Sequence, residues 1–463
     1  MAEMVVIGAG PAGLMAALHS AWSGHRCSVV EAAGAVGGMA GSFEVAGQRV
    51  DYGSHRLHPA TPERFLGLFR SLLGSDLQVR PRRGRIRMHG RWIAFPLRAG
   101  DMVRRLPPSF AARVALESAT ALLRRRRIVA PASFQDEVAR RLGPEVAREF
   151  YAPYARKLYG VDAESLAGEL ARRRVSASGT GDILKRIVKA ARPQGRSFMY
   201  PRRGYGQLSE ALADAAAGAG VDLRLSTRVC GIGATGDAVS VRLDRGTLEA
   251  DTVLSTMPVS ALAASLDPPP PAAVGEALSR CRTRAVVLVY LVVEQDRFTP
   301  FDAHYFPGPE TVVSRLSEPK NYRDGDDPCG RTVLCAEVPC WPGDQLWQSP
   351  EDSIGERVAE DMARAGLRIP ELAGVEVRRL PAVYPVLETD AMSARATVDS
   401  WLRSLAPHRV VSLGRHGLGV LDNLHHVLAM GEAAALALGP DGTVDPLAWS
   451  GSLDGFASHV VED

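Results

Sequence analysis

The sequence is poor in cysteine, and its cysteines form no paired CxxC motif. The 463 residues include six cysteines, which are widely spaced along the chain. A disulfide scaffold needs a denser set, and a zinc ribbon needs paired cysteines. We therefore predict no disulfide framework, no metal site and a location in the reducing cytoplasm.

The sequence also lacks a long apolar run and a strong excess of one charge. No stretch reaches the roughly 18 uninterrupted apolar residues of a membrane-spanning helix. Lys plus Arg number 55 and Asp plus Glu number 52, and the resulting net charge of +3 is too small to indicate a nucleic-acid partner. Hydrophobic residues make up 46% and charged residues 23% of the chain, which is typical of a folded globular protein. The length predicts about two or three domains.

A dinucleotide-binding pattern opens the chain. Residues 5–7 are β-branched and predict a short buried strand, and the glycine motif of residues 8–13 follows at once. Residues 14–21 then have the pattern of a helix, residues 27–30 form a second strand, and Glu31 closes that strand. Strand, glycine turn, helix, second strand and acidic residue together make the motif specific, whereas a lone glycine motif is weak.

Each residue type in this motif has a physical role. Gly8 permits a tight turn, Gly10 lets the backbone approach a pyrophosphate, and Gly13 lets the helix pack closely on the strand. The helix N-terminus presents free N–H groups and a partial positive charge to that pyrophosphate. Glu31 can accept hydrogen bonds from ribose hydroxyls and would repel a 2′-phosphate, which disfavours an NADP-type ligand.

Two further segments carry a resemblance to a known family. Residues 32–42 contain a second glycine pair, Gly37-Gly38, and residues 51–58 read Asp-Tyr-Gly-Ser-His-Arg-Leu-His. The first resembles the flavin-containing amine oxidase superfamily, in which this loop wraps around the ribityl–phosphate part of FAD. The second is similar to the segment that passes the flavin ring in two relatives. Protoporphyrinogen-oxidase-like proteins carry the His-Arg pair, and UDP-galactopyranose mutases carry a second His, here His58.

The resemblance continues to the end of the chain and implies FAD as the cofactor. Residues 199–208 resemble the family's return to the nucleotide domain, and residues 227–232 the strand that contacts adenine. Residues 410–418 and the helix predicted at 424–438 resemble its second flavin contact. The resemblance implies that FAD is bound by Gly8, Gly10, Pro11, Ala12, Gly13, Glu31, Ala32, Gly38, Met39, Ala40, Gly53, Ser54, His55, Val229, Gly414, Arg415, Asn423 and Leu424.

The fold class that follows is α/β, with a discontinuous Rossmann-like FAD-binding domain and a mixed substrate domain of helices and antiparallel sheet. The insertion is rich in Ala, Leu and Arg in a helical pattern, whereas long β-rich apolar runs occur later. We assign residues 1–58, 200–258 and 400–450 to the FAD-binding domain, 59–199 to a helical insertion in the substrate domain, and 259–399 to its sheet-containing part.

The candidate catalytic residues begin with the flavin segment. A neutral imidazole of His55 or His58 is suited to take a proton from a substrate near neutral pH, and either could instead pack against the flavin. Arg56 could anchor a carboxylate or phosphate through two hydrogen bonds, or form a structural ion pair.

Three more residues are assigned by resemblance. Arg174 and Arg315 match family positions that point into the substrate cavity, and Tyr384 is suited to pack on the flavin face or in the core. The basic runs at 124–127 and 172–174 mainly predict solvent-exposed helix faces. Peripheral membrane contact is a less favoured reading of residues 102–129.

Two reactions fit this scaffold. In the favoured one, an FAD-dependent oxidoreductase oxidises or desaturates a small polar or anionic substrate, hydride passes to flavin N5, and dioxygen or another carrier reoxidises the flavin. The Ala- and Arg-rich composition indicates a bacterial source, where such enzymes often serve secondary metabolism.

The alternative is a redox-neutral nucleotide-sugar mutase. Residues 419–425 keep the mutase Asn at Asn423 but lack its tyrosines, whereas the spacing around Gly414-Arg415 resembles the protoporphyrinogen-oxidase-like branch. The identity of the substrate and the oligomeric state stay open.

Overall fold

A five-stranded parallel sheet gathers strands from distant parts of the chain. The computed structural model describes residues 1–95, 104–121, 133–175, 197–234, 238–405 and 409–461. Buried β-branched residues fill the two central strands, as expected where both faces of a parallel sheet are covered. Across the sheet, the strands are Val410–Ser412, Thr252–Ser255, Glu3–Ile7, Arg26–Val30 and Asp222–Arg224.

Helices cover one face of this sheet. The helix Pro11–Trp22 starts with a proline at its first position, where no backbone N–H is needed. It packs against the helices Gln207–Gly218 and Leu424–Leu436. Its contact with the second of these is close because Gly431 lies against the backbone of Ala12 and leaves no space for a side chain.

A small sheet and three helices cover the other face. Val5, Ile7 and Val253 of the parallel sheet share one apolar cluster with the small sheet. The elements of this layer are the strands Val229–Gly233, Val239–Leu243, Thr247–Ala250 and Leu266–Asp267 and the helices Val259–Ser265, Ala272–Arg280 and Ala391–Leu405.

A seven-stranded sheet forms the second half of the molecule. The helix Glu351–Arg364 packs on one of its faces. The opposite face packs on Phe43, Tyr52 and neighbouring residues of the segment that follows the second glycine pair. The sheet therefore covers the predicted flavin segment. In spatial order its strands are Leu372–Pro385, Thr283–Val293, Thr332–Cys340, Arg315–Ser317, Ala303–Tyr305, Gly84–Met88 and Arg91–Phe95.

A helical cluster and several short elements complete the described chain. In the cluster, Ser133 caps a helix by accepting a hydrogen bond from the backbone of Asp136 at 3.1 Å. Its helices are Pro108–Ala121, Phe134–Leu142, Pro144–Val146, Ala152–Tyr159 and Gly168–Arg174, with a π-helical turn at Ala147–Tyr151. The other elements are the helices Glu63–Leu73, Gln345–Gln348, Gly414–Leu418 and Pro446–Ala457, the 3₁₀ turns Gly38–Ala40, Gly74–Asp76 and Pro319–Asn321, and the strand pairs Ser42–Val45 with Gln48–Asp51 and Leu77–Pro81 with Ser197–Pro201.

The predicted fold class is confirmed, but the segment 59–199 is not helical throughout. It contributes strands at 77–81 and 197–201 and the hairpin of residues 84–95, which joins the seven-stranded sheet. His89 and Gly90 both have positive φ, which suits a two-residue hairpin turn. The Ala- and Arg-rich composition concealed the alternating pattern of this hairpin.

Other expectations concern cysteines, membranes and metals. All six cysteines are free thiols. Within the described residues, no helix is long and apolar enough to cross a membrane, and no cluster of His, Cys, Asp and Glu could hold a metal ion. The basic run at 124–127 lies outside the described residues.

Two helical glycines test the packing of the parallel-sheet half. Because a methyl group on Gly431 would overlap the carbonyl oxygen of Ala12, we expect Gly431→Ala to lower the free energy of unfolding by about 1–3 kcal/mol. Gly275 is also helical but has open space around it, so Gly275→Ala should raise that free energy by about 0.5–1 kcal/mol. Urea titrations measure the free energy of unfolding of both variants. Equal changes in the two would contradict the close contact between Gly431 and Ala12.

Candidate active site

The first glycine turn is shaped by two glycines. Gly8 has φ of +102°, a left-handed conformation, and its N–H donates to the carbonyl of Val30 at 2.8 Å. A side chain at Gly13 would overlap the carbonyl oxygen of Gly8. The first helix therefore starts directly against the turn at the end of the first strand.

Space remains open at Gly10, the second glycine of this motif. A Cβ built on Gly10 would have the carbonyl oxygen of Gly37 as its nearest neighbour, at 3.9 Å. The N–H of Gly37 donates to the carbonyl of Ala9 at 2.8 Å, which holds the second glycine loop beside the first. The buried residues Pro11 and Ala12 begin the helix that faces this space.

Glu31 orders the loops around the same space. Its two carboxylate oxygens accept the backbone N–H groups of Ala9 and Ala33, each at 2.8 Å. Its carbonyl accepts the N–H of Thr227 at 2.9 Å, which brings the strand that starts at Val229 to this end of the cradle. Ala32, Met39 and Ala40 lie in the loop that Glu31 and Gly37 hold in place.

A buried aspartate fixes the start of the flavin segment. The side chain of Asp51 accepts hydrogen bonds from Ser42 Oγ at 2.6 Å, from the backbone N–H of Tyr205 at 2.9 Å and from the Tyr200 hydroxyl. Burial raises the pKa of this carboxyl, while these hydrogen bonds oppose the shift. The sequence analysis did not predict a structural role for Asp51, although an acidic residue between apolar neighbours indicates a buried carboxylate.

A buried glutamate of the large sheet holds the next residues. Glu337 Oε1 accepts the backbone N–H of Ser54 at 2.8 Å. The same carboxylate binds Arg315 through two parallel bonds, Nε to Oε1 and Nη2 to Oε2, both at 2.9 Å. Gly53 adopts φ of +95° beside this carboxylate. Sequence reasoning missed Glu337, and the available signal was a lone acid within the apolar strand 332–340.

His55 lies in a region of positive potential. Its ring stacks on Tyr205 with centroids 5.2 Å apart, and its Nδ1 is buried with no hydrogen-bond partner among the described residues. Burial, and then the charges of Arg315 and Arg415, lower the pKa of His55 to about 3. The imidazole is therefore neutral at pH 7 and is a weak base.

Arg56 is held in a buried ion pair. Its guanidinium donates to Asp302 at 2.9 Å and to the hydroxyls of Tyr305 and Tyr322 at 3.1 and 3.3 Å. It also lies over the ring of Phe198, 5.3 Å from the centroid. These contacts favour the structural ion pair over the role of substrate anchor.

His58 lies with a different group of residues. Its Nδ1 accepts the N–H of Ala60 at 3.1 Å, and its carbonyl accepts the hydroxyl of Thr61 at 2.7 Å. Burial lowers the pKa values of His425 and His426, and the charge of His58 acts in the same direction. The structure therefore places His58 near the start of the helix Leu424–Leu436.

Four other predicted residues converge. Burial raises the pKa of Tyr384 to about 12, with Glu337 in the same direction and with Arg315, Arg174 and Arg415 opposing it. The three guanidinium groups therefore all lie within electrostatic reach of the Tyr384 hydroxyl. We call the set Arg174, Arg315, Arg415 and Tyr384 the cationic centre.

Each remaining arginine of the cationic centre has a polar partner that orients it. Arg174 Nε donates to the hydroxyl of Tyr159 at 3.0 Å. Arg415 donates from Nε to Asp422 Oδ1 and from Nη2 to the Asp422 carbonyl, both at 2.8 Å. The rings of Tyr159 and Tyr384 meet edge to face with centroids 6.2 Å apart, so an aromatic pair borders the site.

The predicted second flavin contact includes a capped helix. Gly414 has φ of +75° and packs against Ala12, which joins this turn to the first helix. Asn423 caps the helix that begins at Leu424 in a reciprocal arrangement, in which its N–H donates to His426 Nδ1 at 3.1 Å. The N-terminus of that helix carries partial positive charge, which suits a reduced flavin.

Comparison with known proteins identifies relatives of this architecture. The model of the family described as flavin containing amine oxidoreductase matches residues 11–395. A search of curated proteins gives no significant match.

Several solved structures share the fold. Reduced UDP-galactopyranose mutase aligns over 100% of both chains with a TM-score of 0.78 and 20% identity. A protein of Exiguobacterium sp. 255-15 assigned as a protoporphyrinogen oxidase covers 94% of this chain and 98% of its own, with a TM-score of 0.72 and 18% identity. Putrescine oxidase bound to putrescine covers 94% and 98%, with a TM-score of 0.64 and 16% identity. At these identities the likeness shows the fold alone.

The residues of the cradle fit FAD, the cofactor of this family. Open space at Gly10 and the adjoining helix N-terminus suit the pyrophosphate, and the carboxylate of Glu31 stands at the ribose end. Met39, Gly53, Ser54 and His55 would line the path of the flavin.

Two glycine substitutions separate cofactor binding from folding. We expect Gly10→Val to fold but to contain little FAD, because its side chain would enter the space for the pyrophosphate. Gly13→Val should fail to fold, because its side chain would overlap the backbone of Gly8. The flavin-to-protein absorbance ratio and circular dichroism measure the two effects. Glu31→Ala should lower FAD content less than Gly10→Val, and full FAD occupancy in Gly10→Val would contradict the assignment.

Proposed function

Because the chain belongs to the family of flavin-containing amine oxidoreductases, we propose that it oxidises or desaturates a small anionic organic substrate. FAD supplies the redox chemistry of this reaction by accepting a hydride at its N5 atom. The observation that carries the proposal is the cationic centre beside His55. Three arginines and a tyrosine converge next to the segment that is predicted to pass the flavin ring.

The charge at this centre favours an anionic substrate. Glu337 and Asp422 each partner one arginine, yet the arginines still lower the pKa of His55. The potential at the imidazole is therefore positive even with both carboxylates in place. A carboxylate or phosphate of the substrate would be stabilised there, and guanidinium groups bind both through paired hydrogen bonds.

The same residues are poorly suited to proton abstraction. His55, with a pKa of about 3, stays neutral, and Tyr384, with a pKa of about 12, stays protonated near neutral pH. We therefore assign them positioning and hydrogen-bonding roles. The substrate would lose a hydride from the carbon next to a neutral amine nitrogen or a hydroxyl oxygen. The product would be an iminium ion or a protonated carbonyl that gives its proton to water, so neither route needs a strong base.

A redox-neutral sugar mutase is the alternative function. It is supported by the full-length likeness to UDP-galactopyranose mutase and by the second histidine, His58. Against it, residues 419–425 lack the mutase tyrosines, and the polar residues present have other partners. Asp422 binds Arg415 and Asn423 caps a helix, so both are engaged within the chain.

Anaerobic spectroscopy tests the proposal. The FAD-loaded protein is mixed with pairs of small amines and alcohols that carry either a carboxylate or the matching neutral amide. We expect bleaching of the oxidised flavin band with a carboxylate member and at least tenfold slower bleaching with its amide, because only the carboxylate pairs with the cationic centre. Admission of air or of a dye then shows which acceptor restores the band.

Two outcomes decide against the proposal. Turnover of a nucleotide sugar only after chemical reduction, with the flavin remaining reduced, would establish the mutase. Equal rates of bleaching by carboxylates and amides would show that the site does not recognise a negative charge on the substrate.

The pH dependence of flavin reduction tests the role of His55. Between pH 5 and 8 the imidazole is above its folded pKa of about 3 and stays neutral, so its ionisation should leave no limb in the profile. We expect His55→Gln to lower the reduction rate by about tenfold or less while the shape of the profile is kept. Loss of a limb near pH 6–7 in this variant would show that His55 is the base.

A further inference from the structure

A second basic cleft lies outside the cationic centre. It is formed between the helix Gly168–Arg174, the helix Phe134–Leu142 and the end of the described chain, and its volume is about 490 Å³. Arg141, Arg172 and Arg173 line it together with Glu169, and His459 borders it. Val175, Ala457 and Val460 give it an apolar part. We call this the C-terminal cleft.

Positive charge in the cleft is only partly compensated. Glu169 accepts two bonds from Arg173, from Nε at 3.0 Å and Nη2 at 2.5 Å, and Nη1 of this buried arginine has no hydrogen-bond partner among the described residues. Arg172 is exposed and forms no ion pair with a described residue. Burial and the charge of Arg173 lower the pKa of His459, which is consistent with a positive potential there.

The walls of the cleft are fixed by hydrogen bonds. The N–H of Val461 donates to the carbonyl of Arg173 at 2.7 Å, which attaches the C-terminal segment to the helix. Arg141 donates to the carbonyl of Val175 at 2.9 Å and to Glu137 at 2.5 Å. Glu137 also accepts two hydrogen bonds from Arg140, so its negative charge neutralises Arg141 only in part. The cleft is thus formed before a ligand binds.

We propose that the C-terminal cleft binds the phosphate group of a phosphorylated small molecule. Three guanidinium groups against one lining carboxylate favour a dianion over a monoanion. The volume falls within the range of small-molecule sites and exceeds what a phosphate ion fills. Val175, Ala457 and Val460 are suited to contact the organic part of the ligand.

This site is separate from the predicted catalytic one but adjoins it in the chain. Arg173 lines the cleft, and the next residue, Arg174, belongs to the cationic centre. The charge of Arg173 also acts on Asp422, the partner of Arg415. The inference does not rest on the proposed oxidation, because it concerns binding and uses no catalytic residue.

Calorimetry on the FAD-saturated protein tests the site. Saturation with FAD keeps the probe out of the pyrophosphate cradle. The probes are phenyl phosphate, inorganic phosphate and benzoate, and we expect phenyl phosphate to bind most tightly because it offers both a dianion and an apolar ring. Arg172→Glu should weaken its binding at least tenfold, because one guanidinium is replaced by a carboxylate. Arg368→Glu, the same charge change at an exposed arginine outside the cleft, should leave the affinity unchanged.

The remaining outcomes overturn the site. No binding of phenyl phosphate, or equal binding by the wild-type protein and Arg172→Glu, excludes the cleft. Equal weakening in Arg172→Glu and Arg368→Glu would show general charge attraction only. Binding that is lost in Arg174→Gln but retained in Arg172→Glu would place the anion in the cationic centre. Inorganic phosphate that binds as tightly as phenyl phosphate would show that the cleft recognises the free ion, not a phosphorylated molecule.

Discussion

The carboxylate of Glu337 joins the two halves of the predicted active site. It belongs to the seven-stranded sheet, and it binds both the backbone of Ser54 in the flavin segment and the guanidinium of Arg315. A buried charge without partners is strongly unfavourable, so this carboxylate and Arg315 require each other. The position of the flavin segment under the sheet is therefore linked to the position of Arg315, which is predicted to face the substrate.

The electrostatics of the site follow from that link. Burial, together with the charges of Arg315 and Arg415, lowers the pKa of His55 and keeps the imidazole uncharged. Each arginine of the cationic centre is oriented by a partner on a different element, since Glu337, Asp422 and Tyr159 lie far apart in sequence. A site assembled this way is oriented before substrate binds, which lowers the entropic cost of binding and reaction.

What the sequence could predict was limited to local rules. The turn at Gly8, the close packing at Gly13 and the strand-to-helix order depend on neighbouring residues, so a short motif was sufficient to predict them. The partners of Arg315 and Arg56 lie 22 and 246 positions away in the chain, and no local pattern encodes either contact. The hairpin of residues 84–95 was missed for another reason, because its alternation was masked by the arginine-rich composition around it.

The shared scaffold does not by itself decide the reaction. Solved structures with this fold include a mutase and an amine oxidase at comparable identities, so the fold admits both chemistries. The difference must lie in the side chains next to the flavin. In this chain Asp422 is paired with Arg415 and Asn423 caps a helix, and the cationic centre consists of three arginines and a tyrosine. Those groups bind anions, and because a nucleotide sugar is also an anion they do not by themselves separate the two reactions. The separation depends on residues 419–425, which lack the tyrosines of the mutase pattern.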